Sequence, residues 1–235
     1  MGKQMRKTVE IAKDRYIYRC IHIMMEGDCA VDHGPRGVDV GPFSADIYPV
    51  TNNEYAEFVS DAGYAPQEPA NFLRHWENGK IPAGIGDQPA VWVSLDDARA
   101  YASWAGGRLP TDEEWQFIAA GSEGQAWPWG ANFDAGKCNH DGRELHEVTT
   151  NPDGASWCGC QDLCGNAWEW TEGELDDGMH QFSLIRGGCY YHAPDRWHVA
   201  GGARGCDFHW KMQLMNDAVN RAGTVGFRCV YEASS

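Results

Sequence analysis

The stretch at residues 162–170, with the sequence DLCGNAWEW, constrains the fold of this chain more than any other part of it. Its glycine allows the backbone to turn tightly. Trp168 and Trp170 stand two residues apart, the spacing that places two side chains on one face of a strand, where two indoles bury a large apolar area. Asp162 and Glu169 supply carboxylates, which we expect at the margins. The stretch therefore predicts a rigid corner of a hydrophobic core.

Three segments carry the signals of helix starts and ends. Thr51 and Glu54 form a capping box before a helical pattern of apolar residues, which Gly63 ends. Ser94 caps a second helical pattern, and residues 110–114 (PTDEE) open a third. The first forty residues predict an entering hairpin. The rest of the chain, rich in Gly, Asn, Asp and Trp, predicts short strands and long loops.

Several short motifs follow one another in a specific order: YPVTN at 48–52, GRLPTDEEW at 107–115, WPWG at 127–130, DLCGNAWEW at 162–170, RGG at 186–188 and TVGFR at 224–228. Together they resemble the formylglycine-generating enzyme (sulfatase-modifying factor) family over about residues 41–230. The resemblance implies a single α+β domain over residues 1–235. It also implies the family's variant of the C-type lectin fold, with small twisted antiparallel sheets, two or three helices and much irregular chain.

The composition narrows the classes of partner and compartment. A net charge of −15 without a basic stripe argues against nucleic acids and anionic membranes as partners, since phosphate binding needs clustered Lys and Arg. Nine cysteines with scattered spacing predict mostly free thiols in a reducing compartment. No signal peptide or membrane-spanning run is recognised, so we expect a cytoplasmic protein without membrane insertion. Display on a cell or virus surface by another route is the alternative.

The resemblance also implies a structural calcium site at the corner. In the family a Ca²⁺ is held around this motif, and the matching positions here are Asp162, Gly165, Ala167 and Glu169, the glycine and alanine through their carbonyl groups. Two carboxylates and the carbonyls of a turn are the hard oxygen ligands that Ca²⁺ prefers. The alternative is that Asp162 and Glu169 only cap the turn by accepting hydrogen bonds from backbone N–H groups.

Three cysteines near the corner suggest at first a zinc or redox cluster. They are Cys158 and Cys160, which flank a glycine, and Cys164. Relatives place ordinary hydrophobic residues at these positions, and no fourth ligand with zinc-finger spacing follows. We therefore expect small, buried and inert thiols.

Catalytic members of the family carry two cysteines after Arg-Gly-Gly, which bind copper and handle the substrate cysteine with oxygen. The matching positions here hold His192 and Trp197, neither of which can act as a thiolate. We therefore expect no formylglycine formation and no organic cofactor. The alternative is a metal- and oxygen-dependent oxidoreductase of the family that lacks the usual cysteine pair. Its metal would be bound by His192, His198 or His209, with Cys189 as a further ligand.

The segment at residues 189–223 concentrates aromatic side chains among small residues, a composition typical of adaptable binding surfaces. It resembles the variable segment in variable proteins of diversity-generating retroelements, which starts near Arg-Gly-Gly and stops before a constant Gly-Phe-Arg. Adenines are mutated in that segment. Ten residues here can arise from a mutated AAC codon: Cys189, Tyr190, His192, His198, Val199, Gly205, Cys206, Asp207, Phe208 and His209.

The leading hypothesis is therefore a non-catalytic protein whose C-terminal face binds a protein or other macromolecular ligand. The ten side chains are expected to lie mostly exposed on one face. A face that tolerates substitution needs a frame built elsewhere, so alanine at Tyr190, His192 or His209 is expected to leave stability almost unchanged.

Overall fold

The computed structural model describes residues 6–21, 33–191 and 201–233. Its strands are β1 (Thr8–Ile11), β2 (Asp14–Tyr18), β3 (Arg36–Val40), β4 (Phe43–Asp46), β5 (Trp168–Asp176), β6 (Gln181–Arg186), β7 (Gly188–Cys189), β8 (Gly202–Ala203), β9 (His209–Leu214), β10 (Val225–Gly226) and β11 (Val230–Glu232). Its α-helices are α1 (Asn52–Ala62), α2 (Leu95–Ala105), α3 (Asp112–Ala120) and α4 (Asp217–Asn220). This mixed architecture confirms the predicted fold class. Within the described ranges, no helix has both the length and the apolar character needed to cross a membrane.

Two sheets and two short ribbons organise the strands. The larger sheet has the order β10-β5-β6-β9, in which β10 runs parallel to β5 and the other pairs are antiparallel. In the second sheet β4 lies between β1 and β11, so the first and last described strands pair with the same central strand. β2 pairs with β3 as the expected entering hairpin, although residues 22–32 between them lie outside the described part. β7 and β8 form the second ribbon.

The three long helices begin where their local sequence predicts. Thr51, Ser94 and Thr111 are the N-caps, and each belongs to a complete capping box. Gly63 and Gly106 end the first two helices with φ angles of 60° and 84°, a left-handed conformation that glycine adopts without strain. Both ends of these helices are therefore determined by neighbouring residues.

The core at the corner is present as predicted. Trp168 and Trp170 are fully buried. The indole Nε1 of Trp170 donates a hydrogen bond to the carbonyl of Val93 at 3.1 Å, which satisfies its polar atom inside the core. Tyr55 and Tyr101 stack in the same cluster with their ring centroids 5.3 Å apart. Large aromatic side chains from strands and helices thus fill one interior.

Glu169 lies inside this core, so its expected place at the margin is wrong. Its side chain is 1% exposed. Arg228 donates to both carboxylate oxygens at 2.7 Å, and the indole Nε1 of Trp115 donates to Oε2 at 2.7 Å. A buried carboxylate needs this compensation, and the partner that supplies it comes from 59 residues later in the chain.

Candidate functional site

The ribbon of β7 and β8 follows directly on the Arg-Gly-Gly motif and begins the predicted binding segment. Gly188 has a φ of +86°, and a Cβ there would lie 2.2 Å from the carbonyl oxygen of Gly202. Only glycine therefore permits this close approach of the two strands. Four residues of interest lie outside the described part, namely His192, His198, Val199 and Trp197.

The expectation of a mostly exposed face is wrong for four of the ten residues. The buried side chains are those of Cys189 and Cys206, each 2% exposed, Phe208 at 8% and His209 at 1%. The other three described residues, Tyr190, Gly205 and Asp207, are half-buried. Residues 205–209 therefore turn a large part of their side chains into the protein.

Phe208 and Cys206 are held by contacts to the core. The ring of Phe208 packs on Trp168 with 6.2 Å between the ring centroids. The carbonyls of Cys206 and Phe208 accept hydrogen bonds from Nη1 of Arg186 at 3.0 and 3.2 Å. The arginine of the Arg-Gly-Gly motif thus holds the backbone of two residues that were expected on the binding face.

A buried ionic cluster holds His209. Its Nδ1 lies 3.6 Å from Oδ2 of Asp112. Arg186 donates to the two oxygens of the same carboxylate at 2.6 and 2.5 Å, and the hydroxyl of Tyr18 donates to Oδ2 at 2.7 Å. Burial alone would raise the pKa of Asp112, but Arg186 and His209 hold it well below its usual range. The cluster joins α3, β2, β6 and β9, so His209 contributes to the stability of the fold.

A cavity of about 310 Å³ opens beside β8. One wall is aromatic: Trp127 and Phe133 have ring centroids 4.8 Å apart, and Phe133 meets His140 edge-on at 5.2 Å. Residues 201–203 and the side chain of Arg204 complete the lining. None of the described residues that line the cavity is a cysteine or a carboxylate.

Arg204 occupies an unusual place in this lining. Its backbone N–H donates to the carbonyl of Gly187 at 3.1 Å, and its Nη2 donates to the carbonyl of Gly201 at 2.9 Å. The guanidinium lies 5.2 Å from the ring centroid of Phe208. Nε is buried without a hydrogen-bond partner in the described structure. Burial lowers the pKa of Arg204, because the charged form loses hydration.

Residues 22–233 match the protein family described as the sulfatase-modifying factor enzyme 1-like domain. The chain belongs to this family. It is 31% identical to the inactive C-alpha-formylglycine-generating enzyme 2 of Mus musculus, over 85% of this chain and 79% of that protein. It is also 34% identical to the hercynine oxygenase of Mycolicibacterium smegmatis, over 59% of this chain and 39% of that enzyme.

Solved structures show how widely this sulfatase-modifying factor fold is shared. PvdO from Pseudomonas aeruginosa superposes with a TM-score of 0.71 at 19% identity, over 99% of this chain and 96% of that one. Treponema denticola variable protein 1 superposes with a TM-score of 0.63 at 16% identity, over 96% and 95% of the two chains. At these identities the likeness establishes the fold and leaves the function to the site itself.

The corner of this sulfatase-modifying factor domain fits the expected calcium only in part. Asp162 is 6% exposed and accepts a hydrogen bond from Nδ2 of Asn166 at 2.8 Å. Burial raises the pKa of Asp162 to about 7, and the charge of Glu169 contributes to the rise. A cation there would compensate this carboxylate. Glu169, however, already accepts hydrogen bonds at both oxygens, so it has less to offer a metal. Calcium binding stays a prediction.

The cysteines follow the expectation except at Cys158. The eight described cysteines are all free, and Cys160 and Cys164 are buried as expected. Cys158 is half-buried, and hydrogen bonds with Cys160 and Ser156 lower its pKa to about 6. A lowered pKa favours the reactive thiolate, so Cys158 differs from the expected fully buried thiol, and its inertness stays a prediction.

The alternative metal site of a family oxidoreductase finds little support in the described ranges. Within them, no group of three or more His, Cys, Asp or Glu residues is arranged to hold a metal ion. His209 faces Asp112, and the thiol of Cys189 is buried and donates to the carbonyl of Tyr191 at 3.5 Å. The hypothesis now depends on His192 and His198, about which the structure gives no description.

Proposed function

We propose that this member of the sulfatase-modifying factor family is a non-catalytic binding protein, and that the cavity beside β8 receives part of its ligand. One observation carries the proposal: three aromatic side chains, glycine backbone and one arginine surround about 310 Å³. Such a lining offers apolar contact and one fixed charge. It offers no nucleophile paired with a base among the described lining residues.

The sequence supports the non-catalytic part of this proposal. The positions of the family's catalytic cysteines hold His192 and Trp197. Neither side chain can form the mixed disulfide or the copper thiolate that the formylglycine reaction requires. The relative from Mus musculus, to which the chain is 31% identical, is itself named inactive.

We further propose that the ligand is a protein or another macromolecule with a group that enters the cavity. One exposed aromatic side chain lines the cavity, and a second belongs to a residue whose backbone is bonded to the lining. Phe133, which lines it, is 43% exposed. Tyr191 is 47% exposed, and its carbonyl accepts a hydrogen bond from the N–H of Gly202 at 2.8 Å. Aromatic anchors around a pocket are typical of binding hot spots. We call Phe133, Tyr191 and the cavity lining the cavity face.

Binding can be located with the indole N–H signals of ¹⁵N-labelled protein. Trp127→Phe assigns the cavity signal, and Trp157→Phe assigns a control, because Trp157 is 52% exposed and packs on Phe117 away from the cavity lining. In a screen of small ligands and peptides, we expect binders to shift the Trp127 signal and to leave the Trp157 signal unchanged. Binders that consistently shift other indoles would contradict the proposed site.

The competing oxidoreductase hypothesis makes the opposite prediction about metal. If the protein is non-catalytic, metal analysis of the purified protein should find no stoichiometric copper or iron. A cysteine-containing sulfatase peptide should then remain unconverted under air. Near-stoichiometric metal that is lost on His192→Ala, together with oxygen consumption, would overturn the non-catalytic proposal.

A retroelement origin is a proposal about the gene, and the burial of residues sharpens it. Buried positions tolerate substitution least. Diversified codons should therefore fall at half-buried positions such as Tyr190 and Asp207 and spare Phe208 and His209. The coding locus should contain a reverse transcriptase gene and a near-copy of the segment with adenines at the varied codons. A locus without both would remove this part of the proposal.

A further inference from the structure

We propose that the group entering the cavity is a carboxylate carried on a flat aromatic body. The inference rests on the proposed binding function and specifies the chemistry that its site recognises. It follows from the charge state of one arginine, the geometry of the aromatic wall and the size of the space between them.

Arg204 differs from the fully buried arginines because it has no ion-pair partner within the described ranges. The three fully buried arginines each form a close ion pair: Arg186 with Asp112 at 2.5 Å, Arg221 with Asp97 at 2.7 Å and Arg228 with Glu169 at 2.7 Å. Arg204 is half-buried, and within the described ranges it forms no ion pair and its Nε has no partner. Arginine stays charged at every physiological pH, so a partly desolvated guanidinium without an anion is under-compensated. A carboxylate from a ligand would supply the missing partner.

The remaining contacts of the arginine fix where that carboxylate would lie. Nη2 is bound to the carbonyl of Gly201, and the guanidinium is stacked near Phe208, which restrains the plane of the group. Nε is buried, whereas Nη1 forms no hydrogen bond within the described ranges and is not among the buried atoms, so Nη1 is the accessible donor. A carboxylate can accept a charge-assisted hydrogen bond from this donor. Among the described residues of the lining Arg204 is the single Lys or Arg, and the chain carries a net charge of −15, so a singly charged anion is favoured over a multiply charged phosphate.

The aromatic wall of the cavity favours a ligand whose carboxylate is attached to a flat ring. Trp127 and Phe133 are tilted by 51° to each other, and His140 stands nearly perpendicular to Phe133 at 86°. Ring systems prefer stacked or edge-to-face contacts with such surfaces. Residues 201–203 present no side chain larger than a methyl group, so a ring can approach that backbone closely. A volume of about 310 Å³ is at the lower end for ligand pockets, which fits a small aromatic acid.

The test compares phenylacetate with phenylacetamide, its neutral isostere, by isothermal titration and by the Trp127 indole signal. We expect the acid to bind the wild type at least about tenfold more tightly, because a charged hydrogen bond is at stake. Arg204→Gln should remove this preference, whereas Arg204→Lys should keep part of it. Arg143→Gln is the matched control, since Arg143 is exposed and outside the cavity lining. Melting temperatures of all variants verify that they are folded.

Two peptides distinguish the sources of such a carboxylate. N-acetylglycyl-phenylalanine carries a free chain end, and its C-terminal amide does not. Tighter binding of the peptide acid than of phenylacetate indicates the C-terminus of a partner chain, and the reverse indicates a free small acid. Equal affinity of acids and amides in the wild type, or a preference that survives Arg204→Gln, overturns the carboxylate inference. Amides that still shift the Trp127 signal would leave the proposed binding function standing.

Discussion

Two pairs of tryptophans have the same spacing in the sequence and opposite places in the structure. Trp168 and Trp170 on β5 are completely buried. Trp127 and Trp129 are half-buried and stack on each other with 6.0 Å between centroids and 15° between planes. The first pair builds the frame of the domain, and the second supports the wall of a cavity. Spacing alone therefore sets which side chains share a face and does not set whether that face is covered.

The elements that bury Trp168 and Trp170 come from distant parts of the chain. β5 lies between β6 and β10, and its tryptophans pack in a cluster that includes residues from α1 and α2. The segment around Trp127 closes on itself instead, since Trp127 and Gly130 exchange backbone hydrogen bonds at 2.9 Å in both directions. A locally closed turn contributes less to the fold and leaves its aromatic faces available for a ligand.

The largest difference between the two regions is expected on removing the frame indoles. Trp168→Ala or Trp170→Ala should cost about 3–5 kcal/mol of unfolding free energy, because each leaves a cavity in a packed interior. Tyr191→Ala on the cavity face should change it by no more than about 0.5 kcal/mol. Chemical denaturation of the three variants compares them. Similar losses in all three would show that the cavity face belongs to the core.

The buried part of the predicted binding segment should behave like the frame. Phe208→Ala should cost about 3 kcal/mol through lost packing on Trp168, and His209→Ala about 1–3 kcal/mol, since it removes the buried imidazole that faces Asp112. This reverses the expectation from sequence that His209→Ala barely changes stability. Thermal scans compare the melting temperatures of Phe208→Ala and His209→Ala with that of Tyr191→Ala. A melting temperature of His209→Ala equal to the wild type would contradict the structure.

A buried carboxyl group in the frame should make stability depend on pH. Burial raises the pKa of Asp46 to about 6, whereas an unfolded chain has about 3.9. The folded state therefore holds the proton more tightly, so its contribution is complete below pH 4 and is lost as the pH rises through about 6. We expect a loss of about 2 kcal/mol over this range, which Asp46→Asn should abolish. Denaturation curves at pH 4 to 8 measure it, and equal slopes in both proteins would contradict the assignment.

The proposed calcium should have a smaller effect on the frame. At a free Ca²⁺ concentration about tenfold above the Kd, the melting temperature should rise by about 3–5 °C, and a chelator should reverse the rise. Asp162→Asn is a better control than Glu169→Ala, because loss of Glu169 would also break its ion pair with Arg228. An unchanged wild type, or a rise that persists in Asp162→Asn, would remove calcium from this corner.

The sequence predicted those features of the structure that depend on residues close together in the chain. The helix starts at Thr51, Ser94 and Thr111 were correct because each capping box lies within four residues. The burial of Glu169 and His209 was missed because their partners, Arg228 and Asp112, lie 59 and 97 residues away, and a single sequence does not show such pairings.

The cavity was missed for the same reason. Its aromatic wall comes from residues 127–140 and its other wall from residues 201–204, which only the fold brings together. One signal was present in the sequence: the WPWG motif at 127–130 is richer in indole than a tight turn requires. It served only to establish the family resemblance.

The separation of a rigid frame from a cavity face is tested most directly by measuring two properties of Trp127→Ala, its affinity for phenylacetate and its melting temperature. Affinity should fall by about tenfold or more, because one ring of the wall is lost, while the melting temperature stays within about 3 °C of the wild type. A melting temperature that falls as far as that of Trp168→Ala, with phenylacetate binding unchanged, would contradict the division of the molecule into these two regions.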